Sequence, residues 1–381
     1  MSFPCRLLIR SFSTTAIATD PKFIGSVIRG IYRENNLKRL VDKFKKSSDL
    51  GRFRTNTGIY TGTVQRLANA KRFRWIEEIL EHQKQYKDIS KEGFTARLIT
   101  LYGKAAMYEN ARKVFDEMPG RNCEQTVLSF NALLGACVNS KKFDEVDGLF
   151  KDLPHKLGIE PDLVSYNTII KAFVDKGSLD SANTLLYEME KKGIRPDLIT
   201  FNTLLLGFYS NGRFADAEKI WETMVNMNVR PNVRSYNARL DGLAIEKQTK
   251  KALELVGEMR SKEINPDVFT FYALIKGFVN EGNLEEAKGW YSNMEEESGC
   301  GMNKAIFKLL VPFVCEKGDL DFAFNLCKRT FSKRCLVDQA PLQLVVDRLA
   351  KELRVEEAKE LVELGKTNSY CRYNLKFSSE E

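Results

Sequence analysis

Histidine is nearly absent: the 381-residue chain holds two, His82 and His155. Its eight cysteines stand apart, at positions 5, 123, 137, 300, 315, 327, 335 and 371, and no pair has Cys-x-x-Cys spacing. A zinc centre and a secreted disulfide scaffold are both excluded on that basis, and scattered cysteines of this kind behave as small buried hydrophobes. No apolar run approaches the roughly 20 residues needed to cross a bilayer. The chain has no glycine-rich phosphate loop, no His-x-Glu followed by Cys-x-x-Cys, and no metal-binding group of acids outside its repeating pattern. These absences argue against an enzyme, a cofactor, a metal, a small-molecule substrate and a membrane partner.

What is present begins with an unusual N-terminus. Residues 1–20 carry Arg6, Arg10 and many Ser/Thr, with no acid before Asp20. That composition is expected of an organelle transit peptide. The run Arg10-Ser11-Phe12-Ser13 looks like a mitochondrial processing site, cut between Phe12 and Ser13, which predicts a mitochondrial matrix location. Residues 21–74 then hold fourteen Lys/Arg against Glu34, Asp42 and Asp49. With a net charge of +8 overall, the chain beyond residue 74 is therefore acidic. A block so basic predicts phosphate contacts, with Lys43, Lys45, Lys46, Arg52, Arg54, Arg66, Lys71, Arg72 and Arg74 as the candidates.

A ladder of prolines sets the architecture. Pro161, Pro196, Pro231 and Pro266 lie 35 residues apart, each followed by Asp or Asn. After Asp162, the residues Tyr166, Ile169, Ile170 and Phe173 fall at i, i+3, i+4 and i+7, one apolar face of a helix. Ser165 is a plausible N-cap, Gly177 breaks the pattern, and a second helix carries Ala182, Leu185, Leu186 and Met189. Gly193 and Pro196 end it. The residue opening this second helix recurs at Leu37, Phe73, Tyr108, Phe143, Leu179, Phe214, Thr249, Leu284, Leu320 and Val355, at steps of 35 or 36. Three residues later stands a residue that is alanine in seven of the ten units and Leu40, Ile76 or Val146 in the others. The expected fold is all-α: a right-handed superhelical solenoid of about ten tandem helix-turn-helix repeats, each burying its apolar faces on its neighbours. Basic, divergent repeats are expected over 21–90, regular ones over 91–302 (sharpest from about 127), divergent ones over 303–368, and a tail over 369–381.

The run Val164-Ser165-Tyr166-Asn167-Thr168 through Gly193-Ile194-Arg195-Pro196-Asp197 resembles the pentatricopeptide repeat family in its pure 35-residue form. A tetratricopeptide array has a 34-residue period and a Trp/Leu-Gly/Tyr signature, and neither is present. The resemblance implies single-stranded RNA as partner, bound one base per repeat. It implies that the fifth and last residues of a repeat read the base: Asn131 with Asp162, Asn167 with Asp197, Asn202 with Asn232, and Asn237 with Asp267. The first, second and fourth of these pairs would read uracil, and the third either pyrimidine. The second residue of each repeat would flank the base, at Leu128, Val164, Ile199, Arg234 and Phe269. Elsewhere the fifth positions are expected at Thr61, Ala96, Tyr272 and Phe307, none of which carries an amide.

Four pyrimidine-preferring positions specify little: a fixed four-base site recurs about once in 256 positions by chance. A protein held at one place in a ribonucleoprotein needs no more. The chain is similar to the short pentatricopeptide proteins of plant mitochondrial ribosomes, which implies ribosomal RNA of the small subunit and ribosomal proteins as partners. The alternatives are a free factor for pyrimidine-rich messenger RNA and a protein-binding scaffold.

Overall fold

The computed structural model describes residues 21–298 and 303–377. The processing site expected at Phe12 and Ser13 lies outside them. Among the described residues there is no strand, and the helices in chain order are α1 Pro21–Tyr32, α2 Leu37–Ser47, α3 Gly51–Arg54, α4 Thr57–Asn69, α5 Phe73–Glu81, α6 Glu92–Lys104, α7 Tyr108–Asp116, α8 Val127–Asn139, α9 Phe143–Leu157, α10 Leu163–Lys176, α11 Leu179–Lys191, α12 Leu198–Ser210, α13 Phe214–Asn226, α14 Val233–Ile245, α15 Thr249–Ser261, α16 Val268–Glu281, α17 Leu284–Ser298, α18 Lys304–Glu316, α19 Leu320–Ser332, α20 Gln339–Lys351 and α21 Val355–Thr367. Apart from the one-turn α3, they pair into ten helical hairpins. Every second helix opens at the residue predicted for it, from Leu37 to Val355.

The chain divides into two compact units, one ending at Arg195 and the other starting at Pro196. In the first unit α4, α6, α8 and α10 pack in series, first helix on first helix. In the second unit α12, α14, α16, α18 and α20 do the same. Each unit is thus a stack in which a hairpin buries its apolar faces on its own partner helix and on the next hairpin.

Two side-chain series hold the stacks together. In seven of the ten repeats the fourth residue of the first helix is an aromatic buried to within 1% exposure: Tyr60, Phe130 and Tyr166 in the first unit, Phe201, Tyr236, Phe271 and Phe307 in the second. The tyrosines need acceptors for their hydroxyls, and Tyr166 and Tyr236 donate to Glu188 and Glu258 on their second helices, both at 2.8 Å. The small residue in the second helix, alanine in seven repeats, is buried in all ten. First helices also approach closely where glycine allows it. A Cβ on Gly103 in α6 would lie 2.5 Å from the Ala136 Cα of α8.

Two expectations are corrected here. Ser165 is not the N-cap of its helix: α10 starts at Leu163, capped by Asp162, and Ser165 is the third helical residue. An aspartate directly after the proline offers its carboxylate to the free N–H groups one turn earlier than Ser165 could. Phe307 is not a fifth-position residue either. Asn303 caps α18, with its side chain accepting from the Ile306 N–H at 2.9 Å, so Phe307 is fourth, fully buried, and aligned with Phe271. The eighth repeat is 36 residues long, and counting 35 from Tyr272 slips the register by one.

Candidate RNA interface

The junction between successive repeats is where the Pro-Asp/Asn ladder acts. In α10 the Asp162 Oδ1 accepts from the Ser165 N–H at 3.0 Å, and the Ser165 hydroxyl oxygen accepts from the Asp162 N–H at 3.1 Å. This is a reciprocal capping box. Asp197 with Thr200, Asn232 with Ser235, and Asp267 with Thr270 form the same box on α12, α14 and α16. Such a cap contributes about 1 kcal/mol to its helix.

The fifth-position asparagine of the preceding repeat joins the box. Asn131 Nδ2 donates to Asp162 Oδ1 at 3.0 Å, and its Oδ1 accepts from the Ser165 hydroxyl at 2.6 Å. Asn202 does the same with Asn232 at 3.3 Å and Ser235 at 2.6 Å. Asn237 does so with Asp267 at 2.9 Å and Thr270 at 2.7 Å. Three of the four predicted pairs are therefore bonded partners. Of the fourth, Asn167 is half-buried on α10, and Asp197 caps α12 from the other unit through the Thr200 N–H at 2.9 Å.

Each ring uses one N–H and one lone pair of the asparagine amide. An amide has two of each, so one donor and one acceptor site stay unused by the ring, beside the second polar atom of the cap side chain. A nucleobase edge presents the matching donor and acceptor. Burial raises the pKa of Asp162, but bonds from Asn131 and Ser165 outweigh it and hold the carboxyl below its ordinary value. The cap is thus an anion at neutral pH, able only to accept.

The second residue of each first helix stands beside this ring. Leu128, Val164, Ile199 and Phe269 are 50%, 54%, 63% and 66% exposed, and Arg234 is exposed as well. One exposed leucine needs no explanation; large exposed side chains at one position of five successive repeats do. Their placement suits packing on the faces of flat rings.

Where the asparagine is missing, the ring changes. Ala96 is buried, and Glu92, one turn earlier on α6, takes over the junction: its Oε1 accepts from the N–H groups of Thr126 and Ser129 at 2.8 and 3.1 Å. Tyr272 and Thr61 are half-buried and carry no amide. With the register corrected, the fifth position of the ninth repeat is Lys308, which is exposed, and that of the tenth is Gln343. Sequence reading missed Gln343, although it stands 35 residues beyond Lys308.

The basic block separates into two groups. Arg54 is turned inward: its Nε pairs with Asp88 at 2.7 Å, its Nη1 donates to the Ser48 carbonyl at 2.7 Å, and its guanidinium lies 4.3 Å from the centre of the Tyr86 ring. Arg66 donates to the Ile31 carbonyl at 3.2 Å and to the Glu34 carbonyl, closing the C-terminal end of α1. Both expectations of phosphate contact are corrected, because orphan carbonyls at a helix end draw a guanidinium in. Lys43 pairs with Glu34 and Lys45 with Glu78. Lys46, Arg52, Lys71, Arg72 and Arg74 are exposed.

Among the described residues no group of three His, Cys, Asp or Glu side chains could hold a metal ion, and no helix is long and apolar enough to cross a membrane. Stacked hairpins of about 35 residues, with an asparagine amide bonded to the next helix's cap at three junctions, define a helical-repeat protein. The chain belongs to the pentatricopeptide repeat family: the PPR repeat family signature matches residues 125–173, 161–210, 196–245 and 231–280, and related signatures match 89–140 and 269–298. It is 58% identical over 179 residues to the Arabidopsis thaliana small ribosomal subunit protein mS78 (rPPR3a), covering 47% of this chain and 44% of that one. It is 54% identical over 193 residues to mS79 (rPPR3b) of the same plant, covering 50% and 49%. The chain thus spans about half the length of the curated relatives it matches. Its fold is similar to that of the pentatricopeptide repeat protein PPR10 from maize, with TM-score 0.50 and 19% identity over 93% of this chain and 54% of that one.

Proposed function

We propose that this protein is an RNA-binding component of the small subunit of the mitochondrial ribosome, resident in the matrix, which holds a pyrimidine-rich single strand of ribosomal RNA and catalyses nothing. The observation that carries the RNA reading is the recurring ring, with an amide joined to a capping side chain and a large exposed residue beside it, at Asn131, Asn202 and Asn237. The ribosomal assignment is supported by the two relatives named as small ribosomal subunit proteins. Low specificity fits it as well. A good base contact discriminates by about 1–3 kcal/mol, and a few pyrimidine preferences do not single out one transcript, whereas a ribosomal protein is delivered to its site by its neighbours. The exposed cations Lys46, Lys71, Arg72 and Arg74 would add sequence-independent attraction to phosphates.

Sedimentation of a mitochondrial lysate at moderate salt tests this. Co-migration with the small subunit is the expected result. A slow peak bound to transcripts would instead establish a free messenger-RNA factor. Protein partners without crosslinked RNA would reject both.

A further inference from the structure

The last first helix, α20, is covered by the chain itself. Residues beyond α21 return over it, with Tyr373 and Leu375 buried. The Tyr373 N–H donates to the Gly365 carbonyl at 2.9 Å. Its hydroxyl bonds both the N–H and the carbonyl of Val337, each at 3.2 Å. Gly365 is the seat for this tail: a Cβ there would come within 3.0 Å of Leu375 Cδ1.

The tail also meets Gln343, the fifth-position residue of repeat ten. The Lys376 N–H donates to Gln343 Oε1 at 2.9 Å, and the Lys376 carbonyl accepts from Gln343 Nε2 at 2.7 Å. The other Nε2 hydrogen goes to Asp347 at 2.7 Å. One turn earlier, Gln339 Nε2 donates to the Asn374 carbonyl at 2.9 Å. Residues i and i+4 on the helix thus hold carbonyls two residues apart on the returning tail. A donor and an acceptor side by side, facing a carboxamide, is the pattern a base edge offers to an amide.

We infer that the main chain at Lys376 stands in for a base at the tenth reading position, so that the bound RNA ends before repeat ten and the tail sets how many nucleotides the protein covers. This rests on the base-reading role proposed above. The tail therefore has two effects from one interaction: it seals the apolar end of the last hairpin, and it removes that hairpin from recognition.

Nuclease protection of a uridine-rich oligonucleotide by the full chain, with amide exchange across residues 371–377, tests the inference. Gln343→Ala alone leaves affinity within twofold and the protected length unchanged. Leu375→Asp frees the tail, seen as rapid exchange, and lengthens protection by one nucleotide; adding Gln343→Ala removes that nucleotide again. Lys376→Pro, which removes the N–H facing Gln343 and fixes φ at that residue, is read in the same way should Leu375→Asp unfold α21. A freed tail with unchanged protection overturns the inference, as does a several-fold loss from Gln343→Ala alone. Asn237→Ala is the internal standard. If it weakens binding while the freed tail changes nothing, the tail inference falls alone. If it has no effect, the reading positions are wrong and the tail inference falls with them.

Discussion

Asn237 and Asp267, 30 residues apart in sequence, are joined at 2.9 Å across the boundary between two repeats, and Thr270 closes the ring from the other side. The residue that would face a base is therefore also a fastening between hairpins. On the proposed reading, binding and stability are coupled through one side chain.

That coupling predicts a double effect for Asn237→Ala. Removing its two ring bonds lowers stability by about 1–3 kcal/mol, from about 0.5–1.5 kcal/mol per bond. Affinity for a uridine-rich oligonucleotide falls more than for an adenine-rich one. Urea unfolding and binding titrations on both oligonucleotides measure the two effects, and an equal drop on both would reject the base-reading role.

The basic block predicts a separation of roles. Neutralising Lys46, Lys71, Arg72 and Arg74 together leaves the melting temperature nearly unchanged and makes log Kd less dependent on log salt. The slope changes by about 0.7 for each phosphate of a single strand that is no longer neutralised. Arg66→Ala destabilises the first hairpins by about 1–3 kcal/mol, because it uncaps the end of α1, and leaves the salt slope alone. The reverse pattern would invert the assignment.

Acid sensitivity follows from Asp162. Its folded pKa lies below the ordinary value of 3.8 because bonds from Asn131 and Ser165 outweigh burial. A depressed carboxyl contributes stability that is fully present above the unfolded value and is lost as pH falls through the folded one. Denaturant midpoints measured between pH 6 and pH 2 should fall toward the acid end, and less steeply in Asp162→Asn, where the cap cannot titrate. Identical slopes would remove Asp162 from the acid response.

Gly103→Ala tests the packing of the first unit. The added methyl would lie 2.5 Å from main-chain Ala136 Cα and 2.7 Å from its Cβ. Overpacking of this kind costs about 1–3 kcal/mol, which exceeds the gain of up to about 1 kcal/mol in helix propensity. A lowered melting temperature is expected; a raised one would mean that α6 and α8 can move apart freely.

Much of this architecture is legible from periodicity. The openings of all ten second helices, and the small buried residue three positions on, follow from a spacing that one stacked unit imposes on the next. Caps are harder, since Asp162 and Ser165 both suit a helix start and only geometry shows which holds which. Phe307 is misplaced by counting because a single inserted residue shifts every later position while preserving the hydrophobic pattern. Arg54 and Arg66 read as surface charge, since composition cannot distinguish a guanidinium facing water from one folded onto carbonyls. The three bonded amide–cap pairs follow from the family resemblance, but their bonding to each other does not. The tail's hold on Gln343 leaves no mark in the pattern, because it depends on main-chain atoms that any sequence possesses.

The rings at Asn131, Asn202 and Asn237 have a mechanical consequence. On the proposed reading, changing the letter that one of these three repeats accepts also changes the stiffness of the hinge beneath it, so recognition and elasticity cannot drift independently there. Glu92 shows a way out: a carboxylate one turn upstream bears the load at the Ala96 junction, leaving that hinge firm and its letter blank.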